Sequence, residues 1–451
     1  MHPNTHSPIK RHTLGALLFT ALAPILLHSW TQAATMIPAA ESLGTTLTPV
    51  GAERAGNADG TIPPWTGGGL PQDIAGERPI LTIDAAHAPQ YGAELPEGAL
   101  ALFRAFPDYR MRIYPTHRSA AFPASVTDAI RQNAGRAQPS PAGIASGVAN
   151  AAGGIPFPIP KNGADIVWNH LLAFWGTARE AHVGTYIASG DGTIQQTAGY
   201  REITDFPYYE TTNPASVGRY YFKTRRMQDA PPSAVGQAYI AWQPLDVARD
   251  RYVAWRYLPG EHRVRKAPSL SYDTPDPDAS GYEELDDYYL FFGGPDRYVW
   301  RVVGKREMFI PYNNDALNRA APHSIMGPHH VNQDLMRYER HRVWVVEGTL
   351  APGKSHVAPR RRLMIDEDSW LAVYAEAWDD TGHLWKFSQA TMMSLPQVPT
   401  TIIGGQFVYD LLQGGYVYDF ALGGPGDYLR ITAPHDAAMF EPDALAADQL
   451  R

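Results

Sequence analysis

The chain has 451 residues, 44% of them hydrophobic, with 38 lysines and arginines against 46 acids and no cysteine. That length allows a large core, while the missing cysteines exclude disulfides, thiolate catalysis, cysteine-bound metals, iron–sulfur clusters and a lipid-modified N-terminal cysteine. A net charge of −8, with no Lys/Arg cluster interleaved with stacking aromatics, argues against nucleic acid as a partner.

Residues 1–33 read as a cleavable export signal. Lys10, Arg11 and His12 form its basic region, Leu14 to Leu27 its apolar core, and Thr31 and Ala33 the small-residue site before Ala34. Lys10 and Arg11 are the only charged residues in it, so cleavage leaves 36 basic against 46 acidic residues, net −10. No later run approaches the roughly 20 apolar residues that a membrane span requires. The expected product is soluble, periplasmic and not lipidated.

Leu47 to Gly69 (LTPVGAERAGNADGTIPPWTGGG) has no hydrophobic period, and its glycines, prolines, Asn57 and Asp59 build turns. Trp65 within it is either the anchor of a surface coil or a lid. Pro96 to Phe106 is expected to be a short amphipathic helix through Leu100, Phe103 and Phe106, and Ser125 to Ala134 a weaker one. Gln138 to Gly154, rich in Ala, Gly, Ser and Pro, reads as a flexible connector or lid-like loop. These elements make residues 34–153 a wrapping segment, continuous with a domain over 154–451.

Ala164 to Trp175 is the clearest helix, capped by Asn162 and ended by Gly176. Val167, Trp168, Leu171, Leu172 and Trp175 share one face, which either packs on a sheet or lines a cavity. From Arg179 onward, strand-like runs alternate with turn signals at Ser189 to Gly192, Pro231-Pro232, Pro259-Gly260, Asp379 to Gly382, Gly404-Gly405 and Gly414-Gly415. Short turns of this kind make antiparallel hairpins, so the fold class is α+β with a large antiparallel sheet.

Along these strands one face is aromatic. Trp255 and Tyr257 share a face, as do Tyr298 and Trp300, Trp344 and Val346, Trp370, Tyr374 and Trp378, and Trp385 and Phe387. Arg301, Glu347, Lys386, Asp410 and Asp419 fall opposite, which implies one buried face and one wet face. Buried Tyr and Trp must satisfy a polar tip, so this face suits either a packed core or the wall of a cavity for a mostly apolar guest. The expected lining is Trp168, Trp175, Trp255, Tyr257, Tyr298, Trp300, Trp344, Trp378, Trp385 and Phe387.

Catalytic motifs are missing: there is no G-x-S-x-G, no H-E-x-x-H, no phosphate loop and no dinucleotide fingerprint. His323, His329, His330 and Asp334 form a polar loop without metal-ligand spacing. Asp366, Glu367 and Asp368, with Asp379 and Asp380 on the next turn, read as solvated hairpin ends. Arg360 to Arg362 read as partners in surface ion pairs of little energetic value. No catalytic residue, metal or cofactor is assigned.

The Leu47 to Gly69 segment, PDYRMRIYPTHRSA (Pro107 to Ala120), RYERHRVWVVEGTL (Arg337 to Leu350), RRRLMIDEDSW (Arg360 to Trp370) and AEAWDDTGHLWK (Ala375 to Lys386) together resemble a large proteobacterial domain-of-unknown-function family. Its members are often labelled outer-membrane lipoprotein-sorting proteins and are similar to the LolA/LolB-like lipoprotein-carrier fold. The resemblance implies a curved, incomplete barrel covered by a few helices around a hydrophobic cavity, with 154–451 as the half-barrel. It implies a periplasmic carrier of a lipid or other hydrophobic molecule, working without covalent chemistry. The partners it implies are an RND-type exporter and an outer-membrane channel-like protein. A periplasmic hydrolase for an ester or glycan and a structural adaptor for an exporter stand as alternatives.

Overall fold

In the computed structural model, residues 40–70, 74–267, 272–395 and 397–447 are described, all within the compact unit Pro38–Arg451. The expected export signal, 1–33, lies outside the described residues. The strands, in chain order, are β1 Leu81–Ile83, β2 Met111–Ile113, β3 Gln138–Ser140, β4 Gly143–Ala149, β5 Ala178–Ser189, β6 Ile194–Asp205, β7 Tyr220–Ala230, β8 Ala238–Pro244 and β9 Val253–Leu258. They continue as β10 Arg263–Lys266, β11 Tyr298–Pro311, β12 Tyr338–Leu350, β13 Arg360–Asp366, β14 Ala372–Trp378, β15 Leu384–Leu395, β16 Thr400–Asp410, β17 Gly415–Ala421 and β18 Tyr428–Thr432. The helices are α1 Glu97–Ala105, α2 Ala124–Arg136, α3 Gly163–Leu171, α4 Asp315–Asn318, α5 Pro322–Ile325 and α6 Pro442–Ala447.

Sixteen strands form one sheet in the order β1-β2-β12-β13-β14-β15-β16-β17-β5-β6-β7-β8-β9-β10, with β11 on β12 and β18 on β5. Pairing is antiparallel apart from one parallel register, Tyr338 with Ile113. Among the described residues nothing joins β1 to β10, so the sheet is unclosed and the class is α+β with few helices. Turn chemistry explains the order. The signals at Ser189 to Gly192, Pro231-Pro232, Pro259-Gly260, Asp379 to Gly382 and Gly414-Gly415 all join successive antiparallel strands.

Gly404-Gly405 is not a turn; it lies inside β16. A Cβ on Gly404 would come within 2.7 Å of Asn318, and one on Gly405 within 2.8 Å of the Tyr418 ring. Glycine here serves close approach, which leaves the same sequence mark as a turn.

The helices at Pro96 to Phe106 and Ser125 to Ala134 form as α1 and α2. Helix α3 begins as expected, with the Asn162 side chain accepting the Asp165 amide at 3.0 Å, but stops at Leu171, and all nine of its residues are buried. Gln138 to Gly154 is no flexible loop. It contains the β3–β4 hairpin and then packs on α2, whose Asn133 side chain donates to the carbonyls of Ala152 and Gly154 at 3.1 and 2.8 Å. A Cβ on Gly154 would meet Ile130 at 2.7 Å, so the small residues permit contact there.

The sheet is covered on both faces through its centre. On one face Tyr374, Phe387 and Tyr409 stack in series at 5.5 and 6.1 Å, Tyr409 meets Tyr416 at 4.9 Å, and Phe407 stacks on Tyr418 at 4.5 Å. Helix α1 lies on this ladder so closely that a Cβ on Gly98 would sit 2.2 Å from Phe387. The opposite face was expected to be wet. Instead Lys386, Asp410 and Asp419 are 2%, 4% and 2% exposed. Asp410 receives the turn amides of Leu412 and Gln413. Residues 276–292 cover Lys386 and Asp419; their acidic run, Glu283-Glu284-Leu285-Asp286-Asp287, pairs with Lys386 and Arg361 of the sheet, while Asp419 accepts from the Thr185 hydroxyl at 2.6 Å.

Candidate functional site

Four of the five sequence segments that carry the family resemblance meet at one corner. Arg118 forms a fork on Asp368, with Nε and Nη2 at 2.7 Å from its two oxygens, and donates to the Glu53 carbonyl at 2.7 Å. Lys305 sits 2.7 Å from Glu367 and 3.0 Å from Glu53. Arg342 donates to the Ala55 carbonyl at 2.9 Å, and Trp370 Nε1 to the Val50 carbonyl at 2.8 Å. The Leu47 to Gly69 segment is therefore tied down over a buried ion network.

Asp366, Glu367 and Asp368 are 0%, 1% and 3% exposed, which corrects their reading as solvated hairpin ends. Cations from distant strands and the N-terminal segment neutralise them, a pairing that local sequence does not display. Burial pushes the Glu367 carboxyl up to about 7 against the pull of Lys305, and burial followed by the charge of Asp368 raises Asp366. His341 stacks on Tyr312 at 3.9 Å and meets Glu339 at 3.2 Å. One ligand atom each from His341, Asp366 and Asp368 lies within 4.8 Å of the others, enough for a divalent ion by spacing alone. The Arg118 fork already occupies both oxygens of Asp368. None of the five best-formed cavities among the described residues is lined by this group. In the histidine-bearing loop, Asp334 pairs with Arg110 and Arg112, and His330 faces Asp108.

A second charged cluster fastens residues 276–292. Arg361, read from sequence as part of a surface ion pair, is 3% exposed and donates to Asp287 at 2.9 Å and Asp286 at 2.8 Å. Lys386 lies between Glu284 and Asp287, and Gln406 donates to Glu283 at 2.9 Å. Burial and the neighbouring Asp287 raise Glu284, whereas Asp287 is held low against its own burial by Lys386 and Arg361.

Three cavities follow the edge of this segment; a roomier and more open one, about 680 Å³, lies elsewhere, lined by Val126, Phe174, Tyr209 and Ile431. The best-formed, about 180 Å³, is lined by Tyr200, Arg226, Tyr239 and Arg256 from the sheet and by Asp276, Pro277, Asp278, Leu285 and Tyr288 from the segment. A second, about 20 Å³, shares Arg226, Tyr239, Leu285 and Tyr288 with it. A third of about 20 Å³ shares Phe222, Tyr289 and Phe292 with the second and reaches His170 and Trp175. The walls are mostly apolar and aromatic. Their main charge is internal: Arg226 donates to Glu202 at 2.6 Å and stacks against Tyr200 and Tyr288 at 4.6 and 5.0 Å. Burial would raise Glu202, but Arg226 and Arg179 hold it down to about 2.

The chain matches, over residues 82–446, the family model described as a protein of unknown function, DUF1329. It belongs to the DUF1329 family. An uncharacterized Pseudomonas aeruginosa protein, PA3922, is 37% identical to this DUF1329 chain over 426 residues, 90% of this chain and 92% of that one. Among solved structures, a DUF1329 protein of Desulfovibrio piger is 15% identical with a TM-score of 0.44, covering 62% of this chain and 96% of its own. A putative outer membrane lipoprotein-sorting protein domain of Vibrio parahaemolyticus is 13% identical, with a TM-score of 0.42 and coverage of 60% and 92%. The LolA superfamily protein NE2245 of Nitrosomonas europaea is 13% identical, with a TM-score of 0.38 and coverage of 63% and 100%. No described helix of this DUF1329 chain is long and apolar enough to cross a membrane.

Of the ten aromatic residues expected to line a cavity, Trp175 alone borders one of these voids. The others are held in packed contacts. Trp168 Nε1 donates to the Ile144 carbonyl at 2.7 Å, Trp300 Nε1 to the Pro295 carbonyl at 3.0 Å, and the Tyr298 hydroxyl to the Ala358 carbonyl at 2.9 Å. Trp385 Nε1 reaches Asp410 at 3.0 Å. Lys305 lies over Trp344 at 4.9 Å and Arg360 over Trp378 at 4.0 Å. Trp255 meets Trp242 at 4.8 Å, Tyr257 packs with Leu445 of α6, and Phe387 belongs to the stacked ladder. Their rings are packed against protein, although the Trp344 indole N–H is buried without a hydrogen bond. Trp65, the expected lid, is half-buried under the Arg54 guanidinium at 5.6 Å and lines none of the five cavities. The cavity residues Tyr200, Arg226, Tyr239 and Tyr288 were not anticipated. One signal for them existed: Arg226 falls in register with Phe222 and Thr224, a charge on an inward-facing row of β7.

Proposed function

We propose that the protein binds an apolar small molecule or lipid in the cell envelope and passes it on without covalent chemistry, with residues 276–292 as the movable cover of the site. The observation that carries this reading is the row of aromatic-walled voids sharing lining residues along the edge of that segment. At about 180 Å³ the best-formed void is smaller than the ~300–1,000 Å³ of ordinary ligand clefts. A long-chain guest therefore enters only as the segment lifts, joining the voids into one channel. Burial of each CH₂ supplies roughly 0.8 kcal/mol toward that rearrangement. The segment is held to the sheet by ion pairs and hydrogen bonds, contacts that water can replace when it opens. An exporter or channel-like envelope protein is the acceptor that this reading expects.

The test uses the uncharged fluorescent probe N-phenyl-1-naphthylamine with purified protein. Saturable binding is expected, weakened about tenfold or more by Leu285→Trp, which fills the shared wall. Trp385→Phe, away from the voids, should bind as the parent does. Absence of saturable binding, or equal binding by the Leu285→Trp protein, would refute the proposal. Solvent extraction and mass spectrometry of gently purified protein should then identify the natural guest.

A further inference from the structure

The best-formed cavity has a rim whose charge does not match its interior. Arg256, exposed on β9, lines it; its hydrogen-bond partner there is the neutral Gln237, and the nearby Asp278 of the lining interacts with its charge without bonding to it. Directly across the β9–β10 ladder stands Arg265, which is also exposed. Like charges opposite one another destabilise a hairpin, so this pair is costly unless an anion lies between them. Arg265 has one acid partner, Glu261 at 2.8 Å, in an exposed pairing of small worth. Residues 249–266 as a whole carry six Lys or Arg against two acids, in a chain whose net charge is −8.

The interior, by contrast, has little need of a charged guest. Asp276 accepts from the Tyr288 hydroxyl at 2.5 Å and from the Asp278 amide at 2.9 Å. Asp278 accepts from Gln228 at 2.8 Å, and Arg226 is bound to Glu202 at 2.6 Å. The remaining wall, Tyr200, Tyr239, Pro277, Leu285 and the Tyr288 ring, is suited to hydrocarbon. A mostly apolar interior, in which the Tyr200 hydroxyl is the one lining group buried without a hydrogen bond, opens at a cationic rim and is complementary to a molecule with a hydrocarbon body and one anionic end.

We infer that the guest is an anionic amphiphile, its carboxylate or phosphate head held at the rim by Arg256 and Arg265 and its hydrocarbon body directed inward past Tyr239 and Tyr288. This assignment rests on the binding function proposed above and adds the chemical class of the guest. Arg256 supplies a planar fork suited to two oxygens of either head group. Arg265 adds charge from the neighbouring strand. Because both guanidinium groups are exposed, the preference for an anion weakens as salt rises.

The experiment compares dansyl-aminoundecanoic acid with its methyl ester, two probes of one shape that differ in charge. The intact protein is expected to bind the acid about tenfold more tightly at low salt. The double variant Arg256→Gln, Arg265→Gln should bind the two alike, while Arg251→Gln, which removes an exposed charge of the same hairpin that does not line the cavity, should keep the preference. Arg256→Lys should retain part of it, guarding against a folding artefact. Vesicles of phosphatidylglycerol, set against phosphatidylcholine, separate a free amphiphile from a membrane head group: co-sedimentation with the former that is lost in the double variant assigns the rim to membrane lipid. If acid and ester bind the intact protein equally, or if Arg251→Gln erases the preference as fully as the double variant, the rim assignment is overturned while the binding function stands. If neither these probes nor the neutral naphthylamine binds, the binding function itself fails.

Discussion

The corner beneath Leu47 to Gly69 and the sheet face beneath residues 276–292 use the same chemistry, buried carboxylates against Arg and Lys, yet they leave different space behind. At the corner, Arg118 closes both oxygens of Asp368 and also ties down the Glu53 carbonyl, so charge pairing and the covering backbone are locked together. Under 276–292 the acids outnumber their partners. Both places hold buried carboxylate oxygens without hydrogen bonds, Asp366 Oδ1 and both oxygens of Glu367 at the corner and Glu283 Oε1 and Asp419 Oδ2 under the segment, but the voids run along the segment's edge and not along the corner. The first arrangement makes a fixed anchor. On the function proposed above, the second is a cover, with room left at its edge for a guest.

Breaking each network separately tests that contrast most severely. Arg118→Met strands Asp368 in the core while Glu367 keeps Lys305, and losing one partner of a buried pair costs about 3–5 kcal/mol. The loss is expected in global stability, read as a lowered urea midpoint with unchanged slope. Arg361→Met removes the guanidinium shared by Asp286 and Asp287, leaving them His356 and Lys386. Its cost is expected largely as local opening, read as faster hydrogen exchange across 276–292 with exchange at 47–69 unaffected. Equal global losses with no selective exchange would erase the distinction between anchor and cover.

A smaller effect is expected from pH. Burial, opposed by Arg226, leaves Asp419 raised to about 7, and burial with Asp419 beside it raises Glu283 strongly. A carboxyl whose folded pKa lies above its unfolded value stabilises the fold fully below the unfolded value, near 4, and that contribution is lost as pH climbs through the folded value. Stability should therefore fall between about pH 4 and pH 7, by on the order of 2–4 kcal/mol from Asp419. Glu367 at the corner, raised to about 7, adds to the fall over the same window, and Glu202, held at about 2, works in the opposite direction and only at lower pH. Denaturant titrations at pH 5 and pH 8 measure the sum, and exchange at both values locates it. Stability that rises toward pH 8, or loosening confined to the corner, would count against the cover.

These contrasts also mark where the sequence was informative. Local chemistry was legible: Asn162 caps α3, and five of the six turn signals join antiparallel strands, because each depends on residues within one turn. Gly404-Gly405 misled, since a missing side chain looks the same whether the backbone bends or a neighbour presses close. Lys386, Asp410 and Asp419 were read as facing water for a related reason. Alternation tells which residues share a face, whereas burial depends on what lands there, and Glu284 lies 102 positions from Lys386. The aromatic rows were read from alternation alone. Whether they enclose a guest or a core depended on partners such as Ile144, Pro295 and Lys305, which local periodicity does not encode.

The smallest effect concerns Trp65, the residue first considered a lid. Its amide donates to the Arg54 carbonyl at 2.9 Å, and its ring lies under the Arg54 guanidinium. Trp65→Ala removes a half-exposed cation–π contact worth about 0.5–1 kcal/mol. The backbone bonds that tie this segment to Arg118 and Arg342 remain. A drop of that size in stability, with naphthylamine affinity unchanged within twofold, is expected from an anchor. A change in probe release rate without loss of stability would move the gate from 276–292 to the Leu47 to Gly69 segment, because only a residue in the exit path alters release while leaving the fold intact.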